Sequence, residues 1–133
     1  MSTSAPASAI RAVVKRYADA WAAGDRKAIV DCYHDDVVFH YFGRSLLAGV
    51  HRGKPACLAL LKQVGEKTNR KLVRISDVLA GEHFGMIVAV ETFERDGAAV
   101  TLERLLRYTV RDDKLAECWV YDEDQRLVDD YWS

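Results

Sequence analysis

The sequence predicts an α+β fold in which helices of the N-terminal half close a long, curved antiparallel sheet. Three observations predict it. Apolar residues recur at helical spacing near the N-terminus. β-Branched and aromatic residues crowd four consecutive segments between Leu72 and Asp122. Asp96-Gly97 stands between two of those segments as a two-residue hairpin turn. Long twisted strands wrap around the space the helices leave open, and pockets of small-molecule size form readily there.

The elements follow in order. Ile10, Val13, Val14, Tyr17, Ala18 and Trp21 repeat at i, i+3, i+4 and i+7, the stripe of an amphipathic helix. Gly24 stops that helix and Asp25 caps a second, short one with Ile29, Val30 and Tyr33 on its buried side. Val37 to Phe42 reads as a strand, followed by a loop punctuated by Gly43, Gly49 and Gly53. Pro55 suits the first turn of a third helix, which carries Ala56, Leu60, Leu61 and Val64 and fades near Asn69. Strands are expected over Leu72–Ala80, Phe84–Arg95, Ala98–Val110 and Lys114–Asp122, and a last short helix over Asp124 to Trp132. The order is α-α-β-α-β-β-β-β plus that C-terminal helix. Residues 1–8 read as a disordered, polar tail and 9–133 as one domain.

The chain has 133 residues, half of them hydrophobic, enough for one buried core. Nineteen basic and 20 acidic residues are mixed along it for a net charge of −1, with no basic stripe, so neither nucleic acid nor a membrane is expected as a partner. No basic, apolar leader pattern opens the chain, and a cytoplasmic protein is expected. Cys32, Cys57 and Cys118 fit neither a disulfide framework nor a zinc pattern and read as buried free thiols. A nucleophilic Cys118 is the sharper alternative. The four histidines are too scattered for a metal site, with His51 and His83 in solvated turns. No cofactor is called for.

The hairpin turns set the registers. Asp96-Gly97 places Arg95 opposite Ala98, Glu91 opposite Leu102 and Ala89 opposite Arg104. At Arg111-Asp112-Asp113 a three-residue loop is preferred, because it sets Arg107 against Glu117 as an opposite-charge pair, with Asp113 left-handed. A two-residue loop would set Arg107 against Cys118. The preferred register gives one face Glu91, Arg104, Leu106, Tyr108, Cys118, Val120 and Asp122. The other face takes Glu103, Leu105, Arg107, Glu117, Trp119 and Tyr121. Both are partly apolar, as when one lines an interior and the other meets a second copy of the chain.

Three stretches carry a family likeness. They are Phe39-His40 with Gly43-Arg44-Ser45 and Ala48-Gly49; Arg52-Gly53-Lys54; and Glu117-Cys118-Trp119 with Asp124-Gln125 and Asp129-Asp130-Tyr131-Trp132. With the order of elements, and with Lys15–Ala18, Ala23-Gly24-Asp25 and His34-Asp35-Asp36, the chain resembles the nuclear-transport-factor-2-like superfamily. Within it, the small SnoaL-like, ketosteroid-isomerase-related proteins are most similar. The resemblance implies a cone-shaped α+β barrel, often a homodimer. It also implies a pocket that in different relatives serves isomerases, cyclases, dehydratases, epoxide hydrolases or simple binding modules. Tyr17 matches the oxyanion-donating tyrosine of the steroid isomerases. Their base position falls at His40 or Tyr41, and their second acid near Leu106, which donates no hydrogen bond, so steroid isomerisation by that route is not expected. The polyketide cyclases' aspartate falls near Val120, two residues before Asp122. The epoxide hydrolases' Asp-Arg-Asp arrangement does not appear at matching positions.

The candidate catalytic residues are therefore His40, Asp122 and Tyr17. His40 serves as a base near neutral pH or as a structural histidine. Tyr17 and Trp21 lie one helical turn apart, where Trp21 covers the pocket mouth or packs the core. Tyr41, Tyr108 and Cys118 complete the expected substrate-binding wall. Glu91, Arg104 and Asp122 converge at its polar end, with Arg104 diagonal to both carboxylates. The trio either binds substrate and moves a proton or forms a buried ion network. Two functions are carried: a cofactor-independent isomerase, cyclase or lyase acting on an apolar carbonyl compound, and a non-catalytic, dimeric ligand- or peptide-binding module.

Overall fold

A computed structural model describes residues 6–133. Four helices and six strands follow one another: α1 (Ala7–Ala23), α2 (Arg26–Asp31), β1 (Tyr33–Tyr41), β2 (Gly49–Arg52), α3 (Lys54–Thr68), β3 (Lys71–Ala80), β4 (Gly85–Arg95), β5 (Ala98–Arg111), β6 (Lys114–Asp122) and α4 (Gln125–Tyr131). Of the expected tail, residues 1–5 lie outside the described residues, while Ala7 and Ser8 already belong to α1.

Local chemistry sets the helix ends. Gly24 takes the left-handed conformation at φ 67° and returns its N–H to the carbonyls of Ala20 and Trp21, closing α1. The Asp25 carboxylate accepts the Ala28 N–H and opens α2, and Asp124 does the same for α4 through Leu127. Pro55 stands in the first turn of α3, and Asn69, left-handed at φ 46°, ends that helix.

The six strands form one curved, mixed sheet in the order β2-β1-β6-β5-β4-β3. It is not closed: β2 and β3 are its edges. The purely antiparallel sheet expected from sequence is corrected at β1, which runs parallel to β6, with Phe39 opposite Cys118 and Tyr41 opposite Val120. The segment expected as loop holds the short strand β2, antiparallel to β1. His51, expected in a solvated turn, belongs to β2, and its Nε2 lies 2.7 Å from the Leu47 carbonyl oxygen. Tyr33, expected on the second helix, begins β1, where its ring packs edge-on against Tyr17 and Phe39.

The β4–β5 hairpin has the expected register, with Arg95 opposite Ala98, Glu91 opposite Leu102 and Ala89 opposite Arg104. The β5–β6 hairpin does not. Its turn has two residues, Asp112 and Asp113, both at positive φ (54° and 61°), which suits a tight hairpin. Beyond the Val110–Leu115 pair the register jumps to Thr109 opposite Glu117, so Ala116 is the extra residue of a β-bulge. The shorter turn alone would have exchanged the two faces, and the bulge restores them. The Arg107–Glu117 pairing is therefore replaced by Arg107 opposite Trp119, and Arg104 comes to lie directly opposite Asp122 rather than diagonal to it.

The core lies between the concave sheet face and the helices. Ile10, Val13 and Val14 of α1 pack over β3 and the start of β4. Gly85 permits that approach, since a Cβ there would overlap the Val14 side chain. At the other end Arg95 Nη1 donates to the carbonyls of Tyr131 (2.8 Å) and Asp130 (3.3 Å), holding α4 against the sheet with Trp132 buried beneath. Cys32, Cys57 and Cys118 are free and buried.

Candidate functional site

A cavity of about 460 Å³ lies between α1, α2, α3 and the concave face of β1, β4, β5 and β6. Strand alternation decides what reaches it. On β1, Phe39 and Tyr41 face inward, and Leu106 and Tyr108 of β5 and Cys118 and Val120 of β6 do the same. α1 contributes Tyr17 and Trp21 at helical spacing, α2 contributes Ile29 and Val30, and α3 contributes Leu58 and Leu61.

One end of the cavity is charged. Arg104 is almost wholly buried (1% exposed), and so is Glu91 (1%). Arg104 Nη1 donates to Glu91 Oε2 at 2.9 Å, while Nε and Nη2 donate to Asp122 Oδ1 (2.5 Å) and Oδ2 (3.3 Å). The guanidinium packs against the rings of Phe93 (5.1 Å) and Trp132 (5.2 Å), which themselves meet edge-on. Burial pulls its pKa down, but Glu91 and then Asp122 more than offset this, and the net shift is upward. Arg70, just beyond α3, brings Nε to 3.4 Å from Glu91 Oε1. That oxygen is buried and has no hydrogen-bond partner among the described residues.

The other end is rich in hydroxyls. Tyr33 donates its O–H to the Tyr17 oxygen at 2.7 Å, and the Tyr17 ring packs at 5.7 Å from Tyr108. The Tyr108 hydroxyl is buried without a hydrogen-bond partner among the described residues, and Tyr108 pairs across the sheet with Cys118. Desolvation pushes the pKa of Tyr17, Tyr33 and Tyr108 well upward and that of Cys118 up to about 12, so the Cys118 thiol is no ready nucleophile. Tyr41, which feels the fields of Arg104 and Arg70, is also pushed up to about 12 by burial.

Seven of the nine residues proposed from sequence thus border one cavity: Tyr17, Trp21, Tyr41, Glu91, Arg104, Tyr108 and Cys118. Asp122 does not border it; both its oxygens are taken by Arg104 behind the wall. His40 is a correction. It lies on the convex face, stacked on Trp119 (4.7 Å, 3°), with Nε2 2.8 Å from Glu117 Oε2. The cause is alternation: with Phe39 and Tyr41 inward, the residue between them points outward.

The sequence did not place Tyr33, Arg70, Arg26 or Lys62 at the site, and all four border the cavity. Tyr33 was hidden by its assignment to a helix. Arg70 would have been visible from the β3–β4 pairing, which sets Leu72 opposite Glu91. Among the described residues no group of three or more His, Cys, Asp or Glu side chains could hold a metal ion, and no helix is long and apolar enough to cross a membrane.

A family model for the SnoaL-like domain matches residues 14–118. The chain belongs to the SnoaL-like domain family. Solved structures agree on the fold. This SnoaL-like chain is similar to Bal32a from a soil-derived mobile gene cassette, at 23% identity and TM-score 0.85 over 96% of this chain and 98% of that one. It is similar to a nuclear-transport-factor-2-like protein from Burkholderia xenovorans, at 22% identity and TM-score 0.78 over 96% and 98%. It is also similar to a candidate SnoaL-like polyketide cyclase from Mesorhizobium loti, at 19% identity and TM-score 0.73 over 84% and 97%. No curated protein matches the sequence significantly. At these identities the likeness carries the nuclear-transport-factor-2-like α+β fold alone.

Two outcomes follow from this geometry. Arg104→Met removes the cation that both Glu91 and Asp122 bind, so it should lower stability by about 3–5 kcal/mol near neutral pH. Urea unfolding measures it, and a loss below about 1 kcal/mol would contradict the ion-network reading. The second outcome concerns alkali. An unfolded tyrosine ionises near pH 10. Since the folded pKa values are raised, the stability held by keeping Tyr17, Tyr33, Tyr41 and Tyr108 neutral is complete below about pH 10. It is lost as pH rises through about 12 for Tyr41. Phenolate absorbance of these four should stay absent near pH 10 while ellipticity is retained; their ionisation near pH 10 in the folded protein would refute it.

Proposed function

We propose that this SnoaL-like protein is a cofactor-independent acid/base enzyme of the isomerase, cyclase or lyase class, acting on an apolar carbonyl compound held in the cavity. The observation that carries this reading is Glu91: among the described residues it is the one carboxylate bordering the cavity, it is buried, and its Oε1 accepts no hydrogen bond, with Arg70 Nε in ion-pair range at 3.4 Å. A buried acceptor without a donor is costly unless something else binds it. In the proposed step Glu91 Oε1 takes a proton from the carbon next to a substrate carbonyl. The C–H electron pair becomes the enolate double bond, and the carbonyl π pair moves onto oxygen. Hydrogen-bond donors at the same end, Tyr41 or the Arg70 guanidinium, would steady that oxygen. Return of the proton to a different carbon completes an isomerisation. Attack of the enolate carbon on a second carbonyl forms the ring bond, the π pair of that carbonyl moves to its oxygen, and the oxygen takes the proton back from Glu91 to complete a cyclisation. Arg104 holds Glu91 in place and Asp122 holds Arg104, so Asp122 has a positioning role in this scheme. Tyr17, engaged with Tyr33, belongs to the opposite, hydroxyl-rich end and would hold a second substrate oxygen.

A non-catalytic ligand-binding module is the second reading. It is favoured by Leu106 and Val120, apolar at positions where the steroid isomerases and polyketide cyclases carry their acids. Proton exchange separates the two readings. With 2-tetralone in deuterated buffer, NMR should detect loss of the α-protons faster with protein than with buffer alone. Glu91→Gln should slow the catalysed part by about 100-fold or more. Binding of 2-tetralone without exchange, or equal exchange by wild type and variant, would defeat the catalytic reading.

We also propose that a second copy of the chain covers the convex face, where Leu105, Trp119 and Tyr121 lie. Arg107 packs there against both Trp119 (4.2 Å) and Phe84 (4.5 Å), and Phe84 and Tyr121 remain 39% and 36% exposed. The Arg107 Nε is buried without a hydrogen-bond partner among the described residues, a donor a second copy would satisfy. Sedimentation should give a dimer that Tyr121→Glu weakens. A monomer at every concentration would refute it.

A further inference from the structure

The cavity interior and the cavity mouth differ in charge. Inside, Arg70 and Arg104 stand against Glu91 and Asp122, two cations and two anions, so the group neutralises itself. Two more cations border the same cavity: Arg26 of α2 and Lys62 of α3. Glu91 is the sole acidic side chain among the bordering residues, and it lies inside. The mouth therefore carries a positive surplus in a chain whose net charge is −1.

That surplus is not used within the described residues. Arg26 makes no ion pair there. Lys62 has only Glu66, one helical turn on at 3.9 Å and largely exposed, a pairing of little energy. Arg70 makes no hydrogen bond among the described residues; its one polar contact is the 3.4 Å approach of Nε to Glu91, and four further N–H donors remain on the guanidinium. Arg26 also stands in the first turn of α2, where the helix dipole disfavours a cation. A charge placed against its local preference at the rim of an apolar cavity marks a site for an opposite charge.

We propose that the ligand of this cavity is a carboxylate-bearing amphiphile, an aromatic or alicyclic oxo acid. It enters apolar body first and leaves its carboxylate at the mouth, on Arg70 with Arg26 and Lys62 around it. Leu58 and Leu61 lie on α3 beside Lys62, so one helix face offers both the apolar wall and the cation. Arg70 touches both regions: Nε meets Glu91 inside, and its other donors turn to the carboxylate. A cavity of about 460 Å³ suits a ligand of two or three rings. The inference rests on the cavity being a ligand site, as in the function proposed above, and adds the charge of the ligand and the end at which it lies.

The test uses a size-matched pair, 2-naphthoate and 2-naphthamide, titrated calorimetrically into the full chain. Wild type should bind the naphthoate about tenfold more tightly, and added salt should erode that preference while leaving the amide unchanged. Arg26→Gln with Lys62→Gln should bring the two affinities together without altering naphthamide binding, which also reports that the variant is folded. Arg70→Gln, which also loses the contact to Glu91, should likewise narrow the preference for naphthoate over naphthamide. Equal binding of the two probes by wild type, or a preference that survives in both variants, would overturn the charge assignment and leave the ligand-site reading standing. Failure of both probes to bind would overturn the ligand-site reading and this one with it.

Discussion

Arg104 makes a buried ion network of its own, and the arrangement of the concave face depends on it. It stands at the middle of three adjacent strands, takes Glu91 from one neighbour and Asp122 from the other, and is covered by Phe93 and Trp132. A guanidinium this deep is tolerable only because both flanking carboxylates meet it in hydrogen-bonding geometry. The network in turn constrains its surroundings. Trp132 has to be held over the guanidinium, which the Arg95 contacts to the end of α4 achieve, and the three strands have to keep one register. Such a network is a weak source of net stability but a strong source of specificity, because any slip of β5 against its neighbours would separate buried charges.

The Ala116 bulge has to be understood in that light. A two-residue turn at Asp112-Asp113 followed by regular pairing would have turned Cys118, Val120 and Asp122 to the convex face, leaving Arg104 without its bidentate partner. One extra residue near the turn reverses the alternation before the inner residues begin. The tight turn and the inward Asp122 are thereby both satisfied. The same alternation along β1, carried in parallel beside β6, brings Phe39 and Tyr41 into the cavity and commits His40 to the outer surface with Trp119 and Glu117.

The cavity that results is graded. Hydroxyls with strongly raised pKa values crowd the end beneath α1, an ion network closes the other end, and apolar side chains of α2 and α3 lie toward the mouth. Tyr17 and Tyr33 satisfy each other, whereas Glu91 Oε1 and the Tyr108 hydroxyl are left without partners among the described residues. Two buried polar atoms without hydrogen bonds at a cavity wall are the kind of feature a bound molecule resolves. The scaffold itself carries little information about the reaction, because one fold of this type serves many chemistries.

Much of this was legible in the sequence wherever the controlling interaction was local. The α1 stripe, its Gly24 stop, the Asp25 and Asp124 caps and the Asp96-Gly97 turn depend on residues a few positions apart. With the turn set, the inward alternation of Glu91 and Arg104 followed. For the site, that was enough to name Glu91 and Arg104, while Asp122 was placed on the same face through a three-residue turn that the two-residue turn and the Ala116 bulge replace. What only the tertiary structure decided depends on partners distant in the chain. The parallel placement of β1 chose Tyr41 over His40, the Ala116 bulge set Arg104 opposite Asp122, Tyr33 left its helix to meet Tyr17, and Arg70 was brought to Glu91 across the β3–β4 pairing. Hydrophobic period is blind to each of these, because a strand's alternation reads the same in either register until a neighbouring strand fixes which side faces the core.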